Sequence, residues 1–341
     1  MEIFKAEKND LFNNFKRKNM KQKRESMAIL GILFAFSFVP TEFNFYSLLP
    51  TCPSDWKYDY PYCSLHRQSP VDIRMNKVVN DTKLGRLVFG GYTEPIRKAI
   101  LKNTGHTAQL TFYNAKQWIG RESTLERYRL MQLHFHWGLE NERGSEHTID
   151  GKRFPLEMHL VHYNERYKPG EAAKKPDGLA VLAVLFELSK VDNEKFETFF
   201  EALQQIKEED SQLFLLHRFN IANFIPEETF PYFRYKGSLT TPPCYESVTW
   251  TLLMKKQKIS KSQLEQFRKL KKKLKLGNVK MGDNFRPTQK LNGRVIKLAT
   301  EGGISERSSA SEGNNLFSSV ILSVSVPIIN SIFGKLDMLF G

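Results

Sequence analysis

The sequence predicts a mainly β, α+β fold in a single domain over about residues 51–300, and three observations point there. Short runs alternate polar and bulky apolar side chains with period two, the pattern of half-buried strands. Only two stretches carry the i, i+3, i+4, i+7 apolar stripe of a helix. A composition of 40% hydrophobic and 12% aromatic in 341 residues is globular and long enough for a sizeable core.

Residues 1–50 stand apart from that domain. A polar, basic flank carries Lys16, Arg17, Lys18, Lys21, Lys23 and Arg24, and an uncharged apolar run extends from Met27 to Pro40. The run is short for a membrane span and lacks the polar face of a core helix. With its positive flank it reads as the apolar segment of a signal peptide, with Met20 as an alternative start and a cleavage point near Val39-Pro40-Thr41. Asn80-Asp81-Thr82 is a glycosylation sequon that such a route would expose to modification.

From Trp56 onward the strands come in order: Arg86–Phe89, Ala108–Phe112, Arg127–His136, Leu156–Tyr163 and Leu179–Leu188. Phe196, Phe199, Phe200, Leu203 and Ile206 stripe a helix over Asn193–Lys207. Leu264, Phe267 and Leu270 stripe another, with Ser260 or Ser262 as its cap and Gln263 or Glu265 to complete a capping box. Lys269, Lys271, Lys272, Lys273 and Lys275 read as solvated surface. Residues 301–341 are a linker rich in Gly, Ser and Glu, leading to an apolar stretch, Leu316–Phe333, that Pro327 and Asn330 interrupt. Three readings of it stay open: a transmembrane or lipid-anchor signal using Ser308–Ser311, an amphipathic surface helix, or a disordered tail.

The chemistry concentrates between Gln132 and His162. Period two puts His134 and His136 on one strand face, opposite Leu133, Phe135 and Trp137, and puts Glu157 and His159 together on a second strand. If those strands pair, three imidazoles converge, the ligand set of a catalytic zinc with an open fourth position. Three scattered cysteines exclude a thiolate-rich site. Histidines on strands are common, and spacing alone leaves both a metal site and ordinary packing open.

Four motifs decide between these. His134-Phe135-His136-Trp137-Gly138, Gly144-Ser145-Glu146-His147-Thr148, Glu157 to His162, and Gly237-Ser238-Leu239-Thr240-Thr241-Pro242-Pro243 resemble the motifs of the alpha-class carbonic anhydrases, in that family's order. The resemblance extends from about Trp56 to Lys297. It implies a large, twisted, mostly antiparallel sheet with short peripheral helices, and the reversible hydration of carbon dioxide to bicarbonate and a proton. It implies Zn2+ on His134, His136 and His159, with a bound water whose pKa falls to about 7 in the family's known chemistry, so that zinc-bound hydroxide is the nucleophile. Gln132, Glu157 and the carbonyl of Asn284 would hold the outer imidazole nitrogens. Thr240 would donate to Glu146 and orient the nucleophile.

The same resemblance makes His106 the proton shuttle, a task that suits a free imidazole because it titrates near 6.5. Tyr58, Gln109 and Thr241 would line the polar side of the pocket, and Val161, Val181, Leu239 and Trp250 the apolar wall for carbon dioxide. Cysteines at matching places in extracellular members are bonded, which implies a Cys63–Cys244 disulfide and leaves Cys52 free or in an intermolecular bond. The expected setting is secreted or on the extracellular face of the plasma membrane, with membrane attachment through the tail as one outcome. Sulfonamide-type inhibitors and a side activity on small activated esters are implied by the same centre.

The net charge of +14 invites a nucleic-acid reading, but much of the excess sits in two clusters, Lys16–Arg24 and Lys269–Lys275. No zinc finger or RNP-like motif accompanies them, so nucleic acid is not expected as a partner. A catalytically silent binding domain is the rival from another class; such members typically lose a zinc histidine, and all three are present. A third reading is a matrix protein in which the enzyme serves mineral deposition; no long acidic or repetitive tract points there, though the activity would be compatible with it.

Overall fold

The computed structural model describes residues 53–301, except residue 97 and the segments 216–219 and 275–276. The expectations placed on the basic flank, on Met27–Pro40, on Cys52 and on the tail beyond Glu301 lie outside the described residues. The strands are β1 (Asp72–Ile73), β2 (Val79–Asp81), β3 (Leu87–Gly90), β4 (Ala99–Asn103), β5 (Ala108–Phe112), β6 (Trp118–Arg121), β7 (Tyr128–Trp137), β8 (Thr148–Ile149) and β9 (Leu156–Asn164). They continue with β10 (Leu179–Ser189), β11 (Gln212–Leu215), β12 (Tyr232–Gly237), β13 (Val248–Leu253), β14 (Gln257–Ser260), β15 (Lys271–Leu274), β16 (Gly277–Lys280) and β17 (Lys297–Ala299).

Thirteen strands make one sheet in the order β11-β4-β5-β7-β9-β10-β13-β12-β17-β2, with β6 also on β7, β3 on β6 and β14 on β10. Within it β10–β13, β10–β14 and β17–β2 run parallel and the other pairs antiparallel, so the mostly antiparallel expectation holds. The centre of the sheet is β9 and β10, whose residues are buried almost throughout because both faces are covered. One face packs Leu133, Phe135, Trp137, Met158, Leu160 and Leu182 against side chains from the short helices, Phe199 and Phe267 among them. The Phe135 ring lies 5.1 Å from Phe199 and 4.9 Å from Phe267. Each such ring contributes about 1.5–3 kcal/mol on leaving water. The other face carries Val161, Val181, Ala183, Phe233, Tyr235 and Trp250.

Both predicted helical stripes are buried, though the helices are shorter than the stripes. The first is a 3-10 turn, Glu194–Phe196, running into the helix Glu197–Leu203. The second spans Lys261–Arg268. Of the two candidate caps Ser260 is used: its hydroxyl accepts from Gln263 N, while the Gln263 side chain accepts from Ser260 N. Ser262 instead donates to Asp192. The lysine run expected as plain solvated surface is a strand, β15, paired with β16 in a hairpin outside the main sheet.

One irregularity positions the site. The pairing of β7 with β9 shifts register between Leu130 and Gln132, a bulge that leaves Met131 over. Tyr128 and Leu130 before it, and Leu133, Phe135 and Trp137 after it, all reach the helix-bearing layer. The extra residue is what lets odd and even positions of one strand serve the same face. It frees Gln132, His134 and His136 for the opposite one.

Candidate metal centre

Beyond the bulge, β7 and β9 set His134 opposite His159 and His136 opposite Glu157. His159 Nδ1 lies 3.3 Å from His134 Nε2 and 3.2 Å from His136 Nε2. Four ligands held tetrahedrally about 2.0–2.1 Å from a zinc ion stand about 3.3 Å from one another; both separations from His159 match that, and all three nitrogens lie within 4.8 Å of one another. Their outer nitrogens are all engaged. His134 Nδ1 donates to Gln132 Oε1 at 2.9 Å, His136 Nδ1 to the Asn284 carbonyl at 2.9 Å, and His159 Nε2 to Glu157 Oε1 at 2.7 Å. Amide, carbonyl and carboxylate oxygens can only accept, so each inner nitrogen keeps a lone pair directed at the common point.

Burial pushes the His134 imidazole well below its ordinary range, and its histidine neighbours add to this; burial also lowers His159, against the pull of Glu157. Neutral rings are the form a metal needs. Glu157 is fully buried. Burial alone would raise its carboxyl, yet His147 and His159 hold it well below the carboxylate range. Besides His159 it accepts from His147 Nδ1 at 2.6 Å and His147 N at 2.8 Å.

Glu146 provides the test of fit. Its Oε1 accepts from Arg286 N at 2.8 Å, while its buried Oε2 has no hydrogen-bond partner, the hydroxyl of Thr240 included. That Oε2 faces His136 Nε2 at 3.5 Å and His159 Nδ1 at 3.9 Å, both lone-pair atoms by the assignment above. A buried carboxylate oxygen set against lone pairs is costly unless a cation or a proton donor completes the site. The donor set, its spacing and this open acceptor fit a zinc ion.

Asn284 joins several parts. Its carbonyl takes His136 Nδ1, its Oδ1 accepts from Trp137 N at 2.7 Å, and its Nδ2 donates to the carbonyls of His106 at 2.8 Å and Phe135 at 3.2 Å. His106 is exposed on the turn between β4 and β5, where Gly105 takes φ +76°. Gln109 lies opposite His134 across β5 and β7. Thr240 is buried at 6% exposure and Thr241 is exposed. Val161, Val181 and Trp250 share one buried cluster, and Leu239 packs against it. Tyr58 is not gathered in: it is 75% exposed on the turn Trp56–Asp59, where its ring meets the Lys57 ammonium.

Gly237, which opens the Thr240 loop, has no room for a side chain; a Cβ there would lie 2.1 Å from Ser69 Oγ. The Cys63–Cys244 disulfide is formed, and Cys244 N closes the turn onto Thr241 O at 2.9 Å. Asn80 is exposed on β2.

Sequence reasoning missed a buried relay behind the three histidines. His147 Nε2 meets the Tyr235 hydroxyl at 2.7 Å, which donates to Ser69 Oγ at 2.9 Å. It missed Arg286 as well, whose guanidinium donates to Gln68 Oε1, Ser69 O and Cys63 O while its backbone serves Glu146. The one available signal was His147, next to Glu146 in the Gly144–Thr148 motif. The remaining members come from distant loops and strands with no shared period.

A family model for the eukaryotic-type carbonic anhydrases matches residues 51–300. The chain is 40% identical to carbonic anhydrase 7 of Mus musculus over 252 residues, 72% of this chain and 94% of that one. It is 37% identical to carbonic anhydrase 6 of Canis lupus familiaris over 246 residues, 71% of this chain and 75% of the relative. To carbonic anhydrase 12 of Homo sapiens it is 40% identical over 219 residues, 63% of this chain and 60% of the relative.

Proposed function

The chain belongs to the eukaryotic-type carbonic anhydrase family, and from that premise we propose that residues 51–300 catalyse the reversible hydration of carbon dioxide with a zinc ion on His134, His136 and His159. The observation that carries the reading is the convergence of three imidazole nitrogens within 4.8 Å of one another, each ring backed by an acceptor on its outer nitrogen. Zinc bound there supplies a Lewis acid that makes water a nucleophile at neutral pH.

The chain's own residues do the rest. Gln132, Asn284 and Glu157 fix the tautomer and tilt of the three rings. Glu146 Oε2, unpartnered in the structure, would accept the hydrogen bond of the Thr240 hydroxyl, so that Thr240 Oγ could only accept from the site and would thereby orient the attacking oxygen. Val161, Val181, Leu239 and Trp250 offer an apolar wall that suits an uncharged substrate and keeps excess water out, with Gln109 and Thr241 on the polar side. Tyr58 would complete the ordering of water from outside. His106, exposed to buffer, carries the released proton away. The Cys63–Cys244 disulfide supports an oxidising compartment, hence secretion or display at the outer cell surface, where Asn80 would be open to glycosylation. Among the described residues no helix is long and apolar enough to cross a membrane. Attachment through the tail remains a proposal of its own.

The deciding experiment measures zinc content and carbon dioxide hydration of the purified chain, with and without a sulfonamide. One zinc per chain with sulfonamide-sensitive turnover supports the reading. A zinc-loaded chain without hydration would overturn it in favour of a binding module.

A further inference from the structure

Among the described residues, the hairpin of β15 and β16 is a concentrated run of positive charge outside the histidine centre. The described residues of 269–280 include lysines at 269, 271, 272, 273 and 280 and no acidic residue. Register sets Lys271 across from Lys280, Lys272 across from Val279 and Lys273 across from Asn278, so ammonium groups leave both faces of a two-stranded ribbon. Lys271 is neutralised by Glu208 at 2.6 Å. Among the described residues Lys272, Lys273 and Lys280 have no acidic side chain in ion-pair range, although Glu208, Glu209 and Asp210 border the hairpin on one side. Glu208 and Asp210 offset part of this charge at Lys271 and Lys273, and the remaining like charges repel one another, a cost that an external anion would relieve.

We propose that this hairpin is a docking surface for a linear anionic polysaccharide, one bearing sulfate or carboxylate groups along its length. The side chains choose among anionic partners. The hairpin has no arginine and no aromatic residue, which removes both bidentate phosphate recognition and a platform for stacking bases. Among the described residues its exposed apolar side chains are Leu274 and Val279, each 38% exposed, too little for a wedge into a bilayer. What remains is a row of mobile point charges on a ribbon, which suits a flexible chain of repeating charge bound through counterion release. The surface also borders the catalytic rim. Lys271 O accepts from Asn103 Nδ2 at 2.9 Å, and Asn103 Oδ1 accepts from Gly105 N, next to His106. A bound polysaccharide would therefore hold the enzyme by its mouth without entering it.

The test uses the full chain and heparin as the anionic polysaccharide. The unaltered protein should bind immobilised heparin at about 0.15 M salt and elute as salt rises. The triple variant Lys272→Gln/Lys273→Gln/Lys280→Gln should bind about 10-fold more weakly or less, with carbon dioxide hydration in dilute buffer unchanged as proof of folding. A control, Lys168→Gln/Lys174→Gln/Lys190→Gln, removes the same charge from exposed positions on other elements and should bind as the parent does. Equal losses in the two variants would show that net charge, not the hairpin, binds. Duplex DNA competing as well as heparin, or phosphatidylserine vesicles binding as well, would overturn the polysaccharide assignment. No retention at all would overturn the surface itself. None of these outcomes touches the zinc reading, which rests on other residues.

Discussion

Glu157 is one carboxylate holding two histidines, His159 directly and His147 through both a ring nitrogen and a backbone amide. Glu157→Ala should weaken zinc roughly 10–100-fold, the usual loss when a ligand's partner is removed; titration against a chelator measures it, and unchanged affinity would reduce Glu157 to a structural residue. His106 separates from the metal by position. His106→Ala should lower kcat by about 10-fold or more in dilute buffer while leaving kcat/KM for carbon dioxide nearly intact, with partial rescue by small imidazoles. An equal fall in both constants would place His106 in support of the substrate step instead. At this scale the three histidines were legible because alternation on two strands put them on facing sides and the four family motifs chose the metal reading over ordinary packing. The Tyr235–Ser69 end of the relay was not, since a hydroxyl aimed across a sheet leaves no pattern in a linear chain.

The element that carries most of this is β9, whose two faces do different work. Glu157, His159 and Val161 face the site, while His162 turns the other way and meets the Tyr92 hydroxyl at 2.5 Å. Burial pushes the His162 imidazole down to about 3. The folded chain therefore refuses a proton that the unfolded chain takes up below about 6.5. Stability owed to this group falls as pH drops from about 6.5 toward 3, by up to about 1.4 kcal/mol per pH unit, and is level above that window. Urea midpoints of His162→Gln should show a shallower acid slope than the parent, and identical slopes would mean that His162 accepts its proton in the fold. The long central strands were read nearly to their ends, because burial on one or both faces dictates their side chains. β11, β15 and β16 were not, as they are short and half or more exposed; β12, β13 and β17 were not read either, though each has a strand on both sides.

Across the whole molecule the disulfide ties positions separated by 181 residues and fixes the start of the domain beside the Thr240 loop. Reduction should cost about 2–5 kcal/mol, read as a lower urea midpoint with reductant present; an unmoved midpoint would show that packing around Arg286 alone secures that corner. The pairing came from resemblance rather than from spacing, since three cysteines allow three pairings. The overall architecture was legible for a different reason. Alternation, two helical stripes and a globular composition agree with one another, and agreement across levels is what specifies a fold.

The unpaired Met131 carries a further consequence. In a strand each residue answers yes or no to a single question, core or cleft, and the answers must alternate. Tyr128 and Leu130 say core, and Gln132, two places on, says cleft. The contradiction is resolved only by inserting one letter, so Met131 acts on the strand as a frameshift acts on a message. Delete it, and no local substitution can repair the sense of the letters downstream: either the histidines are read into the oil of the core, or the aromatic half of the strand is read out into water. His134 and His136 owe their address to a residue that pairs with neither of them.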